Sequence, residues 1–161
     1  MKRQTIFLTD ESKIILLKYI NKSPGIRYRE LQRATGFANG VLAYHLNILE
    51  KSKRIKVIRY RIRKSTRYYP LYTTAKESRL MEYVRRTTTR KILLCLLKRD
   101  QCTFNDIMQH TKRVPSTISW HLSWLRKARM IISVRSGMCQ TYRLTNKELV
   151  ETLINKTKNW T

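Results

Sequence analysis

The feature that most constrains this sequence is a repeat. Tyr44-His45-Leu46 and Trp120-His121-Leu122 stand 76 positions apart, and at the same offset Leu42 matches Ile118 and Leu49 matches Leu125. The match runs without a gap from Leu16 to Arg59, pairing Tyr28 with Phe104, Glu30 with Asp106 and Leu31 with Ile107. Agreement of polarity over such a length marks an internal duplication, and the period is too long for a solenoid repeat. The chain is therefore read as one small domain used twice.

Each copy opens with helices. Thr9 or Asp10 caps a first helix over about 11–22, after a short basic lead-in, with Ile14, Leu17 and Ile20 on its inner face. Ser23-Pro24-Gly25 ends it. A second helix spans about 28–34, with Leu31 and Ala34 inward. Thr35-Gly36-Phe37-Ala38 then turns into a third helix, about 39–52, and this order is a helix-turn-helix pattern. The period next changes to that of strands, at Ile55–Tyr60 and Thr66–Tyr72 around an Arg61-Ile62-Arg63-Lys64-Ser65 tip, which makes a wing. The second copy has Met130–Arg135, a Ser136–Gln140 tip and Thr141–Leu144. Tyr68 and Tyr142 align only if the first wing is two residues longer.

Thr73-Thr74 caps a connecting helix over about 75–85, Thr87-Thr88-Thr89 caps the next, Arg90–Lys98, and Thr145-Asn146 caps a last helix over about 147–157. The expected fold is mostly α with small β-hairpin wings: two tandem winged helix-turn-helix domains. Residues 1–85 form the first with its connecting helix, and 86–161 the second with a C-terminal helix. Without a Gly/Ser linker, the two are expected in a semi-fixed relation.

Charge narrows the partner. The chain has 35 Lys and Arg against 10 Asp and Glu, a formal +25. Residues 1–75 carry 17 basic and 4 acidic residues, and 76–161 carry 18 and 6. Both domains are thus basic, and such charge disfavours compactness unless a polyanion neutralises it. Nucleic acid is favoured over an anionic membrane, because no long basic amphipathic helix with a strong apolar face is evident. The longest apolar run, Ile92–Leu97, falls far short of the roughly 18 residues of a spanning helix. The apolar run after Lys2-Arg3 breaks at Thr9-Asp10-Glu11, so no signal peptide is expected. These points indicate an intracellular protein, cytoplasmic and nucleoid-associated.

No catalytic or metal chemistry stands out. Cys95 and Cys102 align with Tyr19 and Ile26 and read as small buried apolar residues, with Cys139 in a loop. There is no C-x-x-C and no Cys/His set at zinc spacing. Phosphate-loop, H-E-x-x-H and G-x-S-x-G motifs are missing too. The chain is read as a non-enzyme, with no cofactor, metal or small-molecule ligand.

The candidate site lies on the third helix of each copy. On 114–129, Ile118, Leu122 and Leu125 fall on one side, with Trp124 and His121 at the edges. Ser116, Ser119, Ser123 and Lys127 fall on the other, flanked by Trp120. Lys112-Arg113 precede the helix, and Pro115 suits its first turn. Small hydroxyls and a cation suit a helix that approaches an anionic surface closely. The expected base readers are Asn39, Tyr44 and Asn47 in the first copy and Ser116, Thr117, Ser119, Trp120 and Ser123 in the second. Tyr44 and Trp120 either touch thymine methyls or sugars or pack against their own wings. Neither outer face has an Arg near its N-terminus, so the common Arg–guanine contact is missing there. His45 and His121 read as packed, hydrogen-bonded residues. Arg59, Arg61, Arg63, Lys64 and Arg67 crowd the first wing, and with Lys112, Arg113, Lys127 and Arg135 they are expected on phosphates or in the minor groove.

The stretch STISWHLSWLRKARMI resembles the recognition helix and first wing strand of arsenic-repressor-type winged-helix regulators. Their pattern is roughly Ser-x-x-Ser-x-His-Leu-x-x-Leu, matched by Ser116, Ser119, His121, Leu122 and Leu125. The first copy keeps His45, Leu46 and Leu49 but has Gly40 and Ala43 at the serine positions. Two such domains in one basic chain resemble archaeal tandem winged-helix transcription regulators over about residues 10–145. The resemblance implies binding to double-stranded DNA through the third helix and wing of each domain. Metal response is not implied, because the metal-sensing cysteines of some such proteins have no counterpart at the recognition helices. Leu149, Val150, Leu153 and Ile154 either cover their own domain or pair two chains, and a homodimer through the C-terminal helix is the expectation. The alternative function is an architectural protein coating DNA with little sequence preference, which the charge and the missing Arg base readers favour. A protein-interaction scaffold would not need two basic domains, and an A-form major groove would exclude a helix.

Overall fold

The computed structural model describes residues 2–60 and 65–157. The elements are α1 (Lys2–Lys22), β1 (Ile26–Arg27), α2 (Tyr28–Thr35), α3 (Asn39–Lys51), β2 (Ile55–Tyr60), β3 (Ser65–Pro70), α4 (Ala75–Val84), α5 (Thr87–Arg99), β4 (Gln101–Thr103), α6 (Phe104–Thr111), α7 (Pro115–Lys127), β5 (Ile131–Ser136), β6 (Cys139–Leu144) and α8 (Lys147–Lys156). The chain divides into two compact units, one up to Ser78 and one over Arg79–Thr157. Each holds three helices followed by a β-hairpin, so the fold is two tandem winged helix-turn-helix units.

The duplication is visible in the cores. Leu16, Ile20, Leu31, Leu42, Leu46, Leu49 and Ile55 are buried in the first unit. Ile92, Leu96, Ile107, Ile118, Leu122, Leu125 and Ile131, each 76 positions on, are buried in the second. The hairpins show where the offset changes. Arg59 faces Thr66 across the first wing, whereas Arg135 faces Gln140 across the second, so the returning strands are offset by 74. The two-residue difference therefore falls between Tyr60 and Ser65 in sequence. Tyr68 and Tyr142 occupy the same buried place in their sheets.

Local chemistry sets the helix ends. Thr103 and Asp106 form a capping box: the Asp106 N–H donates to Thr103 Oγ1 at 3.1 Å, and the Thr103 N–H donates to Asp106 Oδ2 at 2.9 Å. Glu30, the repeat partner of Asp106, accepts from the Arg27 N–H at 2.7 Å, which explains why an acid recurs there. Thr74 and Glu77 make the same box at α4, and Asn146 Oδ1 accepts from the Leu149 N–H at 2.8 Å at α8.

The structure corrects several expectations. The basic lead-in is helical, since α1 begins at Lys2. Thr87–Thr89 lie inside α5 instead of capping it, and Thr89 is fully buried. Cys139 and Gln140 belong to β6, leaving a tighter turn than expected. Strands β1 and β4 were not expected; each adds a third strand beside the returning wing strand, in the orders β1-β3-β2 and β4-β6-β5. Runs of two and three residues are too short to carry a strand period.

Candidate nucleic-acid interface

Each recognition helix sits on its unit by a face of buried leucine and isoleucine with one histidine. For α3 these are Leu42, His45, Leu46 and Leu49; for α7 they are Ile118, His121, Leu122 and Leu125. Both helices end in the same way. The Lys53 N–H donates to Glu50 O and the Arg54 N–H to Leu49 O, at 3.0 and 2.9 Å. The Arg129 N–H donates to Arg126 O and the Met130 N–H to Leu125 O, at 2.9 and 3.0 Å. These are paired Schellman caps, with Lys53 and Arg129 holding the left-handed position at φ 54 that glycine usually takes. The turn before each helix also needs a left-handed residue. Gly36 supplies it in the first unit at φ 69, and Lys112 in the second at φ 53.

The opposite faces are open. Asn39, Tyr44 and Asn47 are exposed on α3; Ser116, Ser119, Trp120, Ser123 and Lys127 are exposed on α7, and Thr117 is half-buried. Lys112 and Arg113 are exposed before α7. Asn39 is held in place by Tyr28, whose hydroxyl donates to both Asn39 O and Asn39 Oδ1 at 2.8 Å. Tyr28 was missed from the sequence, because its supporting role depends on how α2 meets α3. Accepting through Oδ1 leaves the Asn39 amide N–H₂ to donate outward.

The exposed aromatics lean on their own helices. Trp120 meets the edge of His121 at 4.9 Å and tilts over Trp124 at 4.7 Å. Trp124 in turn meets Tyr83 at 4.9 Å and lies under the Arg86 guanidinium at 4.3 Å. Trp120 remains 52% exposed and Tyr44 59%, so neither is buried against a wing. Behind them, His121 Nδ1 shares a buried hydrogen bond with Thr89 Oγ1 at 3.0 Å. Burial, with the charge of Arg86, holds the His121 imidazole below its ordinary pKa; burial, with Lys13, does the same for His45. Burial thus favours the neutral form of both rings.

The wing cations divide. Arg67 is a correction: it is only 4% exposed, and its Nη1 donates to Gly25 O at 3.1 Å. Because β1 pairs with β3, Arg67 lies on the central strand of three and faces inward. Arg59 is exposed but engaged, its two guanidinium nitrogens donating to the two Glu50 oxygens at 2.6 Å each. Arg135 is exposed, and its Nε donates to Gly137 O at 3.3 Å. Arg61, Arg63 and Lys64 lie outside the described residues.

Residues 87–133 match the family described as bacterial regulatory protein, arsR family, and residues 10–81 match one described as an N-terminal HTH domain. The chain carries two helix-turn-helix domains in tandem, the second of the arsR type. Neither of these helix-turn-helix matches is to an enzyme family. Half of this tandem helix-turn-helix chain is similar to solved structures. HlyU from Vibrio cholerae is 22% identical over 49% of this chain and 85% of its own, with a TM-score of 0.45. The transcriptional repressor PagR of Bacillus anthracis is 23% identical over 48% and 88%, at 0.44. The antimony-specific repressor AntR is 20% identical over 49% and 72%, at 0.44. A comparison with curated proteins gives no match. Among the described residues of the tandem chain, no group of three or more His, Cys, Asp or Glu could hold a metal, and no helix is long and apolar enough to cross a membrane.

Proposed function

We propose that the chain is a DNA-binding transcription regulator that uses both helix-turn-helix domains. One observation carries this reading: in a chain of +25, each unit presents a recognition helix whose inner face is committed to a core and whose outer face is exposed, with Asn39, Tyr44 and Asn47 on α3 and serines, Trp120 and Lys127 on α7. Such a helix suits the major groove. Asn39, Tyr44 and Asn47 on α3, and Ser116, Thr117, Ser119, Trp120 and Ser123 on α7, are the base-facing residues of this reading. Lys112, Arg113, Lys127 and Arg135 meet phosphates, joined by Arg61, Arg63 and Lys64 of the first wing tip. The domains act as residues 1–85 and 86–161, in a nucleoid-associated, cytoplasmic setting.

A second reading is favoured by a specific observation. No Arg stands on the N-terminal outer face of α3 or α7, so the strongest guanine contact is missing, as in an architectural protein that coats DNA. Selection of binding sites from a random duplex library separates the two. An enriched motif supports the regulator, retention without enrichment supports the architectural protein, and no retention overturns both.

A homodimer through the C-terminal helix is the proposed assembly. Val150, Leu153 and Ile154 are buried within the second unit, where Arg90 also donates to Thr157 Oγ1 at 2.9 Å. Pairing must therefore use the outer face of α8, around Glu148, Glu151 and Thr152. A monomer mass at high concentration, with and without DNA, would overturn it.

A further inference from the structure

The repeat places two arginines where the first unit holds an ion pair. Glu50 lies in the last turn of α3 and Arg59 on β2, and they meet through two bonds of 2.6 Å. Moving 76 positions on, Glu50 becomes Arg126 and Arg59 becomes Arg135. The frame around the two pairs is the same. Arg126, like Glu50, accepts within the Schellman cap, Arg135 and Arg59 hold the equivalent strand position after it, and α7 packs on β5 as α3 packs on β2. Both arginines are exposed, and among the described residues neither is ion-paired.

We infer that Arg126 and Arg135 form a phosphate clamp for one phosphodiester of the DNA backbone, and that Glu50 plugs the equivalent site in the first unit. In the first unit a carboxylate neutralises the strand guanidinium. In the second, arginines stand at both equivalent positions, with the Arg135 Nε held by Gly137 O at 3.3 Å, and an anion between their remaining N–H groups would offset the like charge. A tetrahedral phosphodiester offers two free oxygens, one for each guanidinium fork. The anion is a DNA phosphate because the clamp lies where the recognition helix meets its wing, and the inference rests on the DNA-binding reading above. The first domain thereby loses a backbone contact that the second keeps.

The full chain, titrated with a labelled mixed-sequence duplex over a range of salt, tests this through double-mutant cycles. Arg126→Ala and Arg135→Ala should each flatten the plot of log K against log salt by about 0.9, the share of one phosphate. The double variant should lose no more than either single one, because they hold the same phosphate. In the first unit Arg59→Ala should change nothing. Glu50→Gln should steepen the slope by about 0.9, and adding Arg59→Ala should take that gain back. Arg126→Gln repeats the test with a long side chain, and thermal unfolding by circular dichroism checks that each variant is folded. Additive losses at Arg126 and Arg135, or an unchanged slope for folded Glu50→Gln, would overturn the clamp while DNA binding stands. A wild-type chain that ignores DNA overturns the DNA-binding reading itself and the clamp with it.

Discussion

Thr89 Oγ1 and His121 Nδ1 lie 3.0 Å apart in the interior of the second unit. At the equivalent places of the first unit stand Lys13 and His45, and they do not meet. Lys13 Nζ turns to Asp10 at 3.0 Å, and His45 Nδ1 is buried with no hydrogen-bond partner among the described residues. The same brace behind an exposed aromatic is therefore satisfied in one copy and not in the other. Thr89→Val keeps the shape and removes the bond, and should cost about 1–3 kcal/mol by leaving a buried imidazole nitrogen unpaired. Lys13→Thr should stabilise the first unit by about 1 kcal/mol, the ordinary net worth of one hydrogen bond. Urea unfolding of both variants checks the pair. Loss of stability in Lys13→Thr would contradict the repeat-based assignment.

The two histidines also set a pH dependence. Burial, then a neighbouring cation, depresses both imidazoles in the folded state below the ordinary 6.5. The unfolded chain then binds more protons, so stability is complete above the unfolded value and is lost as pH falls through the depressed folded values. Glu50 and Asp106 are also depressed, but they act in a separate window below their ordinary 4.5 and 3.8. The urea midpoint should therefore fall between about pH 7.5 and 5.5, before the carboxylates titrate. A midpoint that is level or rises over that interval would show that the imidazoles do not titrate as neutral braces.

The turn into α7 separates stability from binding. Lys112 adopts a left-handed conformation at φ 53, in the place where the first copy has Gly36. A non-glycine residue there costs about 1–2 kcal/mol. Lys112→Gly should hold or raise the melting temperature while weakening DNA binding, because strain and cation leave together. Calorimetry with a DNA titration on the same sample reads both. A variant that melts earlier would mean that the lysine side chain supports the turn.

Much of this architecture is legible from residues alone, and the reason is the duplication. Glu30 and Asp106 recur because each returns a carboxylate to a helix start, and Leu49 and Leu125 recur because each closes the same core. What the sequence hid depends on non-local pairing. Arg67 looks like a wing cation until β1 is seen beside β3, and β1 is two residues long. Arg59 looks free until Glu50, nine positions earlier on a different element, is seen to hold it. Trp120 alternates between two readings in the sequence; its tilt over Trp124, half exposed, follows from the four-residue spacing on one helix.

Base discrimination should sit mainly on α7. Its small hydroxyls at Ser116, Ser119 and Ser123 allow close approach, and Trp120 stands out from them, half exposed. Ser119→Ala and Trp120→Ala should narrow the gap between selected and random DNA by about 1–3 kcal/mol per lost base contact. Arg61, Arg63 and Lys64 replaced together by Ala should weaken all sequences alike. Competition binding with both DNAs distinguishes the two effects, and loss of discrimination in the wing variant alone would reverse the division of labour.

The central claim is that both basic units meet a DNA backbone, and one titration tests it most directly. Duplex affinity is measured as salt is raised, and log K is plotted against log salt. Each neutralised phosphate contributes a slope of about −0.9, and the several cations of two domains predict a total of roughly −4 or steeper. A slope near zero, or no binding at low salt, would contradict the account.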